Sequence, residues 1–548
     1  MKKIKLLVLS PLYILLLSGC SLFNISNNKD NSYSSTHSSI ESESQTSEKS
    51  SESSETISSS SSSKEEEESL TSDTSYVDDD HPALESSAEY YQFWDSTTEL
   101  HFNISISQEA INFINQYQCN HNDSTYFDYY VPCDLTLTMN DTLYEFEEVG
   151  IRQKGNMSRT NVLVDNDFSL DSLGHYKLSF KQTFDGEEYD NIPMLTQFKH
   201  TWNDTAERKA RKNRTLFDME KIDIKWNRNK DESKSKQSYM LKTFRDMGVI
   251  AGNDTLADTT FGIKGKDTSI NTTYEILECI DEVFIKRHFN QEYASGDLYK
   301  CAYQNAPANF SSSYTVGNQI GVEDNVNNYH PAYDLKTNKK KSKHENLLNL
   351  IKIMNDKTSS ADVYHKNISD VMNMTSFMMY ESIAFLCGNF DDLRNNANNY
   401  YLYFTSTTNY AYIIPYDFDR GLGCGCEGRQ QYMTNFSAES TKMQCSNQWQ
   451  TLNIYWRTVC TSSDKSSGHA NVQRVEFYRN MYQSNIETLL NTGKISYESF
   501  KDYVNSFPAS YRGNPDGAGD GNTTFQDYLT RKIKAIKDNN KNYDIKVS

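Results

Sequence analysis

Two acidic turns, each tied to an apolar strand, hold the residues best suited to chemistry. Asp417-Phe418-Asp419-Arg420-Gly421 follows Tyr412-Ile413-Ile414, so a strand delivers two carboxylates and a glycine turn to its carboxyl end. Hard cations such as Mg²⁺ prefer carboxylate oxygens, and phosphoryl-transfer sites hold metal-bound nucleotide in this way. Upstream, Gly388-Asn389-Phe390-Asp391-Asp392 leads through an asparagine-rich run into Tyr400-Tyr401-Leu402-Tyr403. Alone, a DFDRG pentapeptide reads as an acidic surface turn. Paired with the upstream turn, it suggests a bipartite metal and catalytic site.

The elements around these turns follow from periodicity. Leu135 to Met139 alternates, Asn140-Asp141 turns, and Leu143 to Phe146 returns, which predicts a hairpin. A strand is expected over Tyr176 to Lys181. The run 207–233 is basic and polar, with Arg208 to Lys212 a solvated face; it precedes a helix over 233–248 that ends at Gly248. Residues 261–289 read as strand, turn, strand and helix. Beyond about 342, helices dominate, among them 344–355, 371–389, 475–491 and 525–539, and the Met and Phe stripe of 371–389 is core packing. The run Asn514 to Asn522 lacks the terminal glutamate and spacing of an EF-hand and reads as a surface turn. A β-rich part leading into an α-rich part is α+β in class.

The amino terminus points outside the cytoplasm. Lys2, Lys3 and Lys5 precede an apolar run and Leu17-Ser18-Gly19-Cys20, so residues 1–20 form a signal peptide too short to span a membrane as a permanent helix. Its end resembles the bacterial lipobox, which implies lipidation of Cys20 and a membrane anchor. Residues 21–90 are rich in Ser and Glu. Sixteen acids against three lysines there carry −13 of the overall −19, and a segment so poor in apolar groups is expected to remain an extended, disordered linker. Residues 91–548 are globular in composition and acidic, which gives no sign of nucleic-acid binding. Nine cysteines follow Cys20; some could pair, and the spacing of Cys424 and Cys426 lacks the partners of a zinc site.

Four segments taken in order resemble the CotH family of spore-coat and secreted protein kinases. They are Gly150 to Ser158 (GIRQKGNMS), Tyr176 to Lys181 (YKLSFK), Tyr274 to Asp281 (YEILECID) and the two acidic turns. The resemblance implies an atypical, protein-kinase-like fold of two lobes, β-rich over about 91–280 and α-rich over about 281–548. It also implies ATP with Mg²⁺ or Mn²⁺, and phosphate transfer to serine of secreted, coat or envelope proteins. Arg152, Lys154, Gly155 and Asn156 would approach the nucleotide phosphates, Lys177 would be the phosphate-neutralising lysine, and Glu278 would lie at the hinge that meets adenine. Asp391 would be the catalytic base, with Asp392 the alternative. Asp417 would chelate metal with Asp419, and Asn399 or Asn396 would be a further ligand.

Two departures from the family pattern stand beside the acids: Tyr416 replaces a tryptophan and Asn398 a histidine. A helix glutamate should pair with Lys177, and Glu207, Glu220 and Glu232 are all candidates. A competing reading keeps the kinase-like fold as a cell-surface adhesin or scaffold with little catalysis; joint retention of Lys177, Asp391 and Asp417 favours the enzyme.

Overall fold

The structure, a computed structural model, describes residues 82–118, 128–155, 158–302, 306–324, 327–356, 358–389, 391–393, 397–424, 476–520, 522–539 and 545–547. In chain order it forms α1 (Ala88–Trp94), β1 (Leu100–Ile106), α2 (Gln108–Tyr117), β2 (Val131–Met139), β3 (Thr142–Gln153), β4 (Tyr176–Ser179), α3 (Glu187–Asn191), α4 (Thr205–Lys212) and β5 (Lys221–Lys225). There follow α5 (Lys236–Asp246), β6 (Asp254–Ile263), β7 (Ser269–Glu278), α6 (Glu282–His288), β8 (Asp297–Cys301), β9 (Ile320–Gly321) and β10 (Tyr333–Leu335). After α7 (Glu345–Met354), α8 (Ala361–Ser369) and α9 (Met374–Cys387) come β11 (Tyr400–Phe404) and β12 (Ala411–Pro415), then helices Glu476–Asn491, Tyr497–Ser506 and Phe525–Asn539.

The chain is mixed α+β, but its first part is more than an open β-rich layer. Strands β1 to β7 close into a barrel in the order β1-β2-β3-β4-β5-β7-β6. A ring of seven strands cannot alternate direction all the way round, so one neighbouring pair must run parallel. That pair is β1 and β6, with His101 opposite Asp258 and Ile106 opposite Ile263; the other contacts are antiparallel. The expected hairpin is present, and Asn140 turns it at a φ of 49°. Alternation then sorts the side chains. Ile151, Tyr176, Leu178, Ile222, Ile224 and Ile276 fill the interior, which turns Arg152, Lys177, Asp223, Lys225 and Glu275 to the outer face.

The second part is not simply α-rich, because it carries its own five-stranded sheet, β12-β11-β8-β10-β9. One face packs on α9, which is buried all round, with Phe377, Tyr380 and Ile383 against Leu402 and Ile413 in one core. The other face, with Tyr403, Tyr412 and Ile414, packs on Phe284 and Phe289 at and just beyond α6. Leu256 of the barrel's outer face joins the α9 core, so barrel and sheet meet along a seam. The folded body already includes residues before 91: Ala83 N–H donates to the Phe289 carbonyl and Tyr90 is buried. No helix among the described residues is long and apolar enough to cross a membrane. Cys133, Cys279, Cys301, Cys387 and Cys424 are free and buried.

Candidate active site

The site lies along this seam, built by β3, β4 and β5 on one side and the ends of β11 and β12 on the other. Across the barrel, Arg152 stands opposite Lys177 and Lys177 opposite Asp223. Asp223, 1% exposed, takes two ammonium groups: Lys154 Nζ at 2.6 Å from Oδ2 and Lys177 Nζ at 3.2 Å from Oδ1. Burial alone would raise the Asp223 carboxyl, but Lys154 and Lys177 overcome it and hold it well below the usual range. Burial would likewise neutralise Lys177, yet Asp223 drives it well above an ordinary lysine. Lys154 also donates to Tyr416 Oη at 2.7 Å, which ties the barrel to the turn after β12.

Lys177 therefore has an acidic partner, but not a helix glutamate. Glu220 pairs with Lys181, while Glu207 and Glu232 are exposed. The partner is Asp223, on the neighbouring strand. Sequence reading missed it because β5 sits inside a charged run; the alternation Lys221-Ile222-Asp223-Ile224-Lys225 was the available signal.

The same strand meets the acidic turn. Lys225, 5% exposed, contacts the Asp417 carboxylate and lies 3.0 Å from Asp419 Oδ2; it also donates to Gln237 Oε1 of α5 at 2.6 Å. Burial is outweighed by Lys225 and then Lys154 at Asp417, which is held well below its ordinary value, whereas burial raises Asp419. Asp417 adopts a φ of 58°, the left-handed region that non-glycine residues enter at a cost. Beside this pair opens a small cleft lined by Trp226, Arg228, Gln237 and Glu275 among others. The run 514–522, expected as a surface turn, clasps the loop after β5: Asn514 N–H donates to the Glu232 carbonyl (2.8 Å) and Asp520 N–H to that of Asn229 (2.9 Å).

The two acidic turns share one end of the fold. Leu422 N–H donates to the Cys387 carbonyl at 2.8 Å, fastening the DFDRG loop to the end of α9, from which the GNFDD turn departs. Tyr400 pairs with Pro415, so Asn399, just before β11, and Tyr416, just after β12, stand at the same end of two adjacent strands. Asp391 is partly exposed and its Oδ1 accepts from Asn398 Nδ2 at 3.3 Å; Asn399 Nδ2 donates to the Asp391 carbonyl at 2.8 Å. Asp392 is fully buried.

These motifs now lie on a definite framework. The family model of the CotH kinase protein matches residues 204–510, more than half of the chain. The chain belongs to the CotH kinase protein family. The CotH match takes in Asp223, Lys225, Glu278, both acidic turns and β8; it begins after Lys154 and Lys177, which join the site through Asp223. No curated protein matches the chain.

The Glu278 side chain does not face Lys177: it is buried, accepts from Tyr90 Oη at 2.7 Å and pairs with Arg287 at 2.9 Å. The next residue, Cys279, lies nearer, with Sγ 3.4 Å from Lys177 Nζ. Arg152 pairs with Asp128 at 3.0 Å. Gly155 has a φ of 83°, and a β-carbon there would collide with Ser158 Oγ, so the turn requires glycine. Asn156, Asn396 and Cys20 lie outside the described residues. No cluster of three or more His, Cys, Asp or Glu able to hold a metal is found among the described residues. Two carboxylates on one turn nevertheless suit Mg²⁺ or Mn²⁺ arriving on a nucleotide, since such ions keep waters and take phosphate oxygens for their remaining positions.

Proposed function

We propose that this member of the CotH family is a protein serine kinase, moving the γ-phosphoryl group of ATP to a serine or threonine hydroxyl of a secreted, coat or envelope protein. The observation that carries the reading is the joining of Lys154, Lys177 and Asp223 to the Asp417 turn through Tyr416 and Lys225. The two ammonium groups would neutralise phosphate oxygens, and one ammonium can bond a carboxylate and a phosphate at once. Asp417 and Asp419 would hold the divalent ion, whose charge offsets that of the phosphates. Asp391 would accept the proton as the substrate oxygen bonds to phosphorus and the bond to the ADP oxygen breaks. Its partial exposure favours it over buried Asp392, and Asn398 and Asn399 would fix its orientation. Lipidated at Cys20, the enzyme would act at the outer face of the cell membrane.

A second reading, a kinase-like surface scaffold, gains support from Lys225, which already neutralises Asp417 and Asp419 from within the chain. Incubating the full-length chain in detergent with γ-labelled ATP, Mg²⁺ or Mn²⁺ and a Ser-rich acceptor protein separates the two. Label on acceptor serine supports the kinase; an unlabelled acceptor under every metal supports the scaffold.

A further inference from the structure

The charges around Tyr416 do not balance. Lys154 and Lys177 share the single carboxylate of Asp223. A third ammonium, that of Lys300 on β8, lies 5.7 Å from the centroid of the Tyr416 ring, over which Lys154 also stands at 5.2 Å. Lys300 is half-buried and, among the described residues, makes no ion pair. The acid nearest to hand is already engaged: Glu323 bonds Lys336 at 3.3 Å and His330 at 3.1 Å, while Asp334 pairs with Lys336. Three ammonium groups thus face the carboxylate of Asp223 in a partly dehydrated seam, and the nearest other carboxylates, Asp417 and Glu323, are already paired with Lys225 and Lys336. Such an excess of like charge is costly unless an anion with several oxygens joins it.

We propose that Lys300 is a polyphosphate-binding residue, completing with Lys154 and Lys177 a three-lysine anchor around Asp223 and Tyr416. The inference deepens the kinase reading, since the nucleotide it names is that reading's substrate. Sequence analysis had no hold on Lys300, because its strand bears no motif and its place follows only from the pairing of Lys300 with Tyr401 across β8 and β11. The anchor has a further consequence. Burial, with Lys336, Lys154 and Lys177 nearby and Glu323 opposing, brings Lys300 down to about 8. Just above that pH, much of Lys300 is neutral before the anion arrives, and a bound polyphosphate would draw a proton onto it.

Calorimetric titration of the full-length chain in detergent with tripolyphosphate and with ATP tests this. The wild-type chain should bind both, and Lys300→Met should weaken both about 10-fold or more, the effect of losing one charged contact. Lys300→Arg should stay within about threefold of wild type, showing that charge rather than shape is at stake. At pH 8.5, binding heats in buffers of different ionisation enthalpy should reveal proton uptake by the wild-type chain and little by Lys300→Arg. Wild-type affinity in Lys300→Met, or no binding of either anion by the wild-type chain, would overturn the inference. Lys300-dependent binding without phosphate transfer would support the anchor and count against the kinase reading.

Discussion

Lys177 and Asp223 face each other across β4 and β5, with 3.2 Å between ammonium nitrogen and carboxylate oxygen. The acid that holds Lys177 therefore comes from the adjacent strand. Being strand-borne, it is set by barrel register, and Lys154 uses it as well. Asp223→Asn should leave two half-buried ammonium groups without their carboxylate and lower stability by about 3 kcal/mol. Urea unfolding of variant and wild type measures this; a loss below about 1 kcal/mol would mean the pair matters little to the fold.

Acid should weaken the same contact. The folded-state carboxyl of Asp223 lies below its unfolded value, so its contribution is complete above about pH 4 and is lost as pH falls through the folded value. Asp254 has the opposite sign. Burial, only partly offset by Arg245 at 2.9 Å, lifts its carboxyl to about 6, so its contribution is present below about pH 4 and is lost as pH rises through 6. Stability measured from pH 3 to 7 should show the onset of the first effect below about pH 4 and the full course of the second. Asp254→Asn should make the upper limb shallower and leave the lower one, the remainder coming from Glu275, Glu278 and Asp419, whose carboxyls burial also raises; an unchanged upper limb would remove Asp254 as a source.

Glu278 offers a test of scaffold against hinge. Glu278→Gln should weaken the tie to Arg287, itself 9% exposed, and lower the melting temperature. At temperatures where the variant stays folded, its KM for ATP should remain near the wild-type value. A large rise in KM without loss of stability would restore a direct role in nucleotide binding.

The two aspartates of the upstream turn should separate cleanly. Asp391→Asn should lower kcat by about 10²- to 10⁴-fold while the protein melts near the wild-type temperature. Asp392→Asn, at a fully buried position, should act mainly through stability. Steady-state kinetics beside thermal melts distinguishes them, and the reverse pattern would exchange their roles.

Much of the local structure was legible in the sequence. The Asn140-Asp141 hairpin, the strand–turn–strand–helix of 261–289 and the buried helix Met374–Cys387 all follow from turn chemistry and periodicity. Barrel closure was not, because it depends on β1 meeting β6, and residues such as His101 and Asp258 stand 157 positions apart. The two acidic turns were legible because each bears its carboxylates next to an apolar strand. Asp223, Lys225 and Lys300 were not. Asp223 and Lys225 lie on a short barrel strand and Lys300 on a short strand of the second sheet, and their charges look like solvated surface until barrel and sheet meet.

Labelled transfer in Asp417→Asn decides whether Asp417 works with Lys177 in phosphate transfer. With γ-labelled ATP, Mn²⁺ or Mg²⁺ and a Ser-rich acceptor, the wild-type chain should label serine. Asp417→Asn, checked for folding by its melting temperature, should fall at least about 100-fold. Transfer at the wild-type rate in that variant would contradict the account.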